Sequence, residues 1–129
     1  MLVVDASVLA PVLADRGGDG QRFRGRLRGE TVFGPDLLRI EVTSVIRRHA
    51  STGHLTSEQA DAAISDLLAF PVKVFPTSSL LPRIWELRSN LSTYDGCYVA
   101  LAEAVGGVLL TADRRLAKAP GPRCHIEAI

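Results

Sequence analysis

Short apolar runs alternate along this chain with longer stretches in which apolar residues recur every three or four positions. The short runs Leu2-Val3-Val4, Thr31-Val32-Phe33, Val72 to Phe75 and Val108 to Leu110 read as strands, and His125-Ile126-Glu127 as a final one. Helices are predicted between them: Ser7 to Ala14, a segment after the loop Arg16-Gly17-Gly18-Asp19-Gly20 to Leu27, Asp36 to Thr52, a helix from Thr56, then Leu80 to Leu91, Thr93 to Val105 and Asp113 to Lys118. Leu38, Val42, Val45 and Ile46 share one face of the Asp36 helix, and Gly53 stops it. Thr56-Ser57-Glu58-Gln59 is a capping signature, and Ala60, Ala63, Ile64, Leu67 and Leu68 complete an amphipathic stripe behind it. Pro11 is acceptable only near the first turn of its helix, and Gly34-Pro35 is expected to end the second strand. The alternation predicts an α/β fold with a mostly parallel sheet of about four to five strands flanked by helices.

Four acids interrupt this pattern where a core is expected. Asp5 closes the first strand, Glu41 lies inside Leu37-Leu38-Arg39-Ile40-Glu41-Val42, Asp95 opens an apolar helix, and Asp113 follows Val108-Leu109-Leu110-Thr111. Asp5 and Asp113 thus stand just past the carboxyl ends of strands, the edge at which open α/β sheets bind ligands. Glu41 and Asp95 sit near helix starts that favour anions. Two carboxylates about 5 Å apart repel by about 3 kcal/mol at an effective dielectric of about 20. A divalent cation relieves that repulsion, and an oxygen-only set suits magnesium or manganese. Each acid also has a structural role open to it. Asp5 and Asp113 can cap the helices that follow them, and Ser92-Thr93-Tyr94-Asp95 can be a capping box. Glu41 has no cap to make.

Composition narrows the field. A chain of 129 residues with 47% hydrophobic content is expected to form one globular domain with its own core. The formal net charge is +1, and setting the four acids aside leaves +5. Thirteen of the fifteen basic residues are Arg, the side chain that forks onto phosphate. Cys97 and Cys124 are too few for a disulfide framework or a zinc site. No stretch is long enough to span a membrane, and Asp5 interrupts what would otherwise resemble a signal peptide. The expected setting is the reducing cytoplasm.

The segments Val3-Val4-Asp5-Ala6-Ser7-Val8, Arg39-Ile40-Glu41-Val42-Thr43-Ser44-Val45, Leu91-Ser92-Thr93-Tyr94-Asp95-Gly96-Cys97-Tyr98 and Leu110-Thr111-Ala112-Asp113-Arg114-Arg115-Leu116 resemble the four motifs of PIN-domain nucleases. The likeness is greatest to the VapC toxins of bacterial toxin–antitoxin pairs, and it covers essentially the whole chain in order and spacing. It implies a three-layer PIN-like fold and an endoribonuclease that uses Mg²⁺ or Mn²⁺. Asp5, Glu41, Asp95 and Asp113 would be its catalytic and metal-binding acids. Ser7 matches the hydroxyl residue that accompanies the first acid, and Thr111 a similar one before the fourth. Cleavage would leave a 5′-phosphate and a 3′-hydroxyl. The implied partners are RNA, an inhibitory antitoxin of the VapB kind, and a second copy of the chain in a homodimer. Two departures stand out. Gly96 lies where relatives usually carry Ala, and Arg114-Arg115 lie where some carry a further acid or amide, which leaves one metal ion or two as alternatives.

Basic residues Arg22, Arg24, Arg26, Arg28, Arg47 and Arg48 are candidates for phosphate contact or for a solvated basic face. Few aromatics are available to stack bases, so folded RNA such as tRNA or a ribosomal RNA loop is the better fit. His49, His54 and His125 fall outside the motifs and read as surface or structural residues. The helix face Ile64/Leu67/Leu68 is assigned to the core, with an interface as the alternative. Two other functions compete. A phosphatase of the haloacid dehalogenase type also places an Asp after the first strand, but it wants a second acid where Ser7 stands. A non-catalytic RNA- or protein-binding module would have no need of all four acids.

Overall fold

Leu2, Val3 and Val4 are all buried, although successive side chains of a strand point to opposite faces. Such a strand needs cover on both sides, and it receives it. The computed structural model describes residues 1–129 as a five-stranded sheet between helices. The strands are β1 (Leu2–Val4), β2 (Val32–Pro35), β3 (Lys73–Phe75), β4 (Val108–Thr111) and β5 (Ile126–Ala128), in the order β3-β2-β1-β4-β5. Every pairing is parallel, so the expected mostly parallel sheet is wholly so.

The helices are α1 (Ala6–Ala14), α2 (Gly18–Leu27), α3 (Leu38–Ser51), α4 (Ser57–Ala69), α5 (Leu81–Glu86), α6 (Thr93–Val105) and α7 (Arg114–Lys118). Helix α6 packs on β1, β2 and β4, while α1 packs with α2, α3 and α4. One hydrophobic core joins both layers to the sheet. Thr56 and Gln59 form the capping box that the sequence signals. Gly106, at φ 66°, ends α6 in the left-handed conformation that a side chain disfavours. Gly20 lets α2 approach α1, because a Cβ there would lie 1.9 Å from the Asp15 carbonyl oxygen.

Several expectations fail for identifiable reasons. Pro11 lies well inside α1, where it has no N–H to give the Ser7 carbonyl one turn earlier. Strand β2 runs through Gly34 and Pro35, pairing with Val74 and Phe75 of β3. Helix α3 starts at Leu38 rather than Asp36, whose N–H instead bonds the Phe75 carbonyl at 3.0 Å. The predicted helix over 80–91 is a 3₁₀ turn (Ser78–Leu80) followed by the short α5, with Pro82 in its first turn. Leu68 is 76% exposed, so the α4 stripe narrows to Ala63 and Leu67 with Ile64 half-buried. Cys97 and Cys124 are both free thiols, and no helix is long and apolar enough to cross a membrane.

Candidate active site

The chain builds β1, β2 and β3 toward one side and then returns to place β4 and β5 on the other side of β1. The order therefore reverses between β1 and β4, where the carboxyl ends of adjacent strands open a crevice. Val4 pairs with Leu110, so the next residues of both strands, Asp5 and Thr111, meet there.

Asp5 is 7% exposed and is the one buried charged residue of the chain. It is the N-cap of α1: Oδ1 accepts the Ser7 N–H at 3.1 Å and also the Ser7 hydroxyl. Oδ2 accepts the fully buried Thr111 hydroxyl at 2.6 Å. Ser7 Oγ in turn accepts the Ala112 N–H at 2.9 Å, which ties the start of α1 to the end of β4. The capping role and the membership of a charged site coexist in this residue, because a carboxylate oxygen has more than one lone pair.

Asp113 caps α7, accepting the Arg115 N–H at 2.9 Å, and its own N–H donates to Thr111 Oγ1 at 3.1 Å. Asp95 lies in the first turn of α6, where its N–H is capped by Ser92 Oγ at 3.1 Å. Unlike Gln59 in α4, Asp95 does not return its side chain to the N-cap backbone, so its carboxylate is not occupied by a capping box. Glu41, in the first turn of α3, accepts the Tyr98 hydroxyl at 2.6 Å. Tyr98 comes from the middle of α6 and is 2% exposed. Its role was not foreseen from the sequence. The available signal was a phenol within an apolar helix, where its O–H needs a partner.

Electrostatics links the four acids. Burial pushes Asp5 above the usual carboxylate range, against the pull of its Ser7 and Thr111 hydrogen bonds, and Asp95 repels it further. Glu41 is raised by burial and by both Asp5 and Asp95, with Tyr98 opposing. Asp95 is raised first by burial and then by Asp113, while Ser92 and Arg115 oppose. Tyr98 is pushed far up by burial and by the Glu41 carboxylate, so it remains a donor. Desolvated carboxylates that raise one another's proton affinity are what a bound cation offsets.

The donors are oxygen only, which is the ligand chemistry of Mg²⁺ or Mn²⁺. As the chain stands, no three acidic, His or Cys side chains are gathered closely enough to hold an ion between them. Asp5, Glu41 and Asp113 are each held by hydrogen bonds from a neighbouring residue or facing helix. The residues fit the group by chemistry rather than as a closed cage.

Two cavities open beside the acids. One, of about 490 Å³, runs between α1 and α3 from Ser7 to Arg48, His49 and His54, over a floor that includes Ala10, Val45 and Ile46. The other, of about 210 Å³, lies next to Asp95 and Asp113. The basic residues divide. Arg24 is tied to the Val12 and Asp15 carbonyls and Arg26 to Glu127 and Glu30. Arg22 is paired with Asp19, so three of the four alternating arginines have internal partners. Arg47, Arg48 and the three histidines are exposed.

Residues 2–122 match the family model described as PIN domain. Ribonuclease VapC1 of Mycobacterium tuberculosis is 39% identical over 128 residues, 98% of this chain and 96% of the relative. Among solved structures, the Mycobacterium tuberculosis sarcin-ricin loop cleaving toxin VapC20 superposes with a TM-score of 0.71 at 16% identity, covering 92% of this chain and 94% of that one. VapBC2 from Rickettsia felis, bound to a DNA fragment from their promoter, gives a TM-score of 0.71 at 12% identity, covering 99% and 98%.

Proposed function

The chain belongs to the PIN-domain family, and from that membership we propose that it is a metal-dependent endoribonuclease, the toxin of a toxin–antitoxin pair, that hydrolyses phosphodiester bonds in structured RNA such as tRNA or ribosomal RNA. The observation that carries the reading is Asp5. A carboxylate buried at the switch point of the sheet, raised by burial and by Asp95, is a costly feature that the Ser7 and Thr111 hydrogen bonds oppose and that a bound cation would offset further.

Asp5, Glu41, Asp95 and Asp113 would hold Mg²⁺ or Mn²⁺. When bound, such an ion supplies a water that ionises near neutral pH and positive charge for the phosphate oxygens. The chain's own residues prepare the place for it. Thr111 and Ser7 fix both oxygens of Asp5, and Tyr98 fixes Glu41 against α6. Exposed Arg48, at the far end of the α1–α3 groove, offers a cation to the RNA backbone.

An antitoxin partner is supported by the fold shared with VapBC2. The half-apolar α1–α3 groove begins at Ser7, so a segment seated in it would cover the approach to Asp5. A homodimer is supported by large apolar side chains left in solvent, Leu81 and Trp85 on α5 and Tyr94 on α6, exposed by 55%, 67% and 61%. The proposed setting is the cytoplasm, where the two free thiols persist.

The test is incubation of the purified protein with total cellular RNA, in Mg²⁺ or Mn²⁺ and then in EDTA, followed by sequencing of the new ends. Cleavage at discrete positions, abolished by EDTA, is expected. Cleavage that survives EDTA would refute the metal-carboxylate reading, and turnover of a small phosphate ester in place of RNA would favour a phosphatase.

A further inference from the structure

The smaller cavity beside the acids is chemically mixed. Asp95 and Asp113 form one wall, Arg115, Ser92 and Asn90 supply polar groups around it, and Leu91, Leu116 and Ala119 line the rest. Arg115 is held loosely: its Nε stands 3.5 Å from Asp113 Oδ1, beyond good hydrogen-bonding distance, and its side chain is 94% exposed. Its neighbour Arg114 does not line the cavity. The amide of Asn90 makes no hydrogen bond within the chain, and the Ser92 hydroxyl, which accepts the Asp95 N–H, still has its own proton to donate.

A pocket that sets a loosely paired, exposed guanidinium and an unpaired amide beside two carboxylates is suited to a group carrying both negative charge and polar edges. Leu91 and Leu116, both buried in the core, form the apolar part of its lining. Resting on the proposed ribonuclease reading, we propose that this cavity is the subsite for an RNA nucleotide next to the scissile phosphate. Arg115 binds that nucleotide's phosphate, and Asn90 with Ser92 hydrogen-bonds its sugar or base edge. Arg115 is a binding and positioning residue here, and the reaction does not pass through it.

The test measures cleavage kinetics and RNA affinity against salt for the full chain, for Arg115→Ala and Arg115→Lys, and for Lys73→Ala as a control on the edge strand β3, where the side chain is exposed. Arg115→Ala is expected to raise KM about tenfold with little change in kcat, and to reduce the slope of log affinity against log salt by about 0.7, one phosphate contact on single-stranded RNA. Arg115→Lys should recover the salt slope, and Lys73→Ala should match the parent. Arg115 also opposes the raised pKa of Asp95. If that were its whole role, Arg115→Ala would move the acidic limb of the pH profile and leave the salt slope alone, which would overturn the subsite. A parent protein that cleaves RNA, with an Arg115→Ala variant identical in KM and slope, would overturn the subsite and leave the ribonuclease reading intact. A parent that neither binds nor cleaves RNA would overturn both.

Discussion

The Thr111 hydroxyl donates to Asp5 Oδ2 at 2.6 Å and accepts the Asp113 N–H at 3.1 Å. One fully buried side chain therefore fixes acids at the ends of two adjacent strands. Thr111→Val keeps the shape and removes both bonds, leaving the Asp113 N–H without its acceptor and Asp5 short of a donor. The expected cost is about 2 kcal/mol of stability, read from the urea midpoint at unchanged slope. Thr111→Ser should retain most of it. A Val variant as stable as the parent would show that these bonds contribute nothing net.

Tyr98 and Glu41 make a second such contact, between α6 and α3. Tyr98→Phe removes a bond that pulls the Glu41 pKa down while leaving burial and repulsion to push it up. Glu41 should then protonate at higher pH, and the acidic limb of the pH–activity profile should shift upward. Activity well above that limb should recover to within a few-fold of the parent. An unshifted limb would remove Glu41 from the titrating set.

The place of Asp5 after β1 and of Asp113 after β4 was legible from the sequence because it is local: a short apolar run and the acid that follows it leave little choice. The reversal of strand order between β1 and β4 was not legible, since it depends on which strands pair. The same holds for Tyr98 with Glu41, which are 57 residues apart. Local rules also misjudged Pro11, which α1 accepts well inside its length, and Pro82, which starts a new short helix where the apolar spacing predicted one continuous helix. The alternating arginines could be read as a phosphate-binding or a solvated face, yet carbonyls and carboxylates beyond the helix take Arg24 and Arg26.

Gly96 is buried inside the first turns of α6, and an added Cβ would lie 3.5 Å from Ile84 Cγ2, an ordinary contact. Space is available, so helix propensity decides. Gly96→Ala is expected to stabilise the fold by about 1 kcal/mol, seen as a higher thermal midpoint. A lower midpoint would mean that α5 cannot accommodate the methyl.

The buried acids set a pH dependence whose sign can be worked out. Asp5 has a folded pKa above its ordinary 3.8. Its contribution to stability is complete below 3.8 and is lost as pH rises through the higher folded value. Asp5→Asn removes that loss. Relative to the parent, the metal-free Asn variant should gain stability as pH climbs above about 4, by about 1.4 kcal/mol per pH unit until Asp5 is ionised in the folded parent. Parallel stability curves for the two proteins would place Asp5 in an unperturbed environment.

The central claim is that carboxylates from four separate segments act as one cation site. Calorimetric titration of Mn²⁺ into the parent, Asp5→Asn and Asp95→Asn at pH 8 tests it without reference to any RNA. Saturable binding by the parent, weakened at least about tenfold in each variant, is the predicted result. Binding of equal strength in all three proteins, or none in the parent, would contradict it.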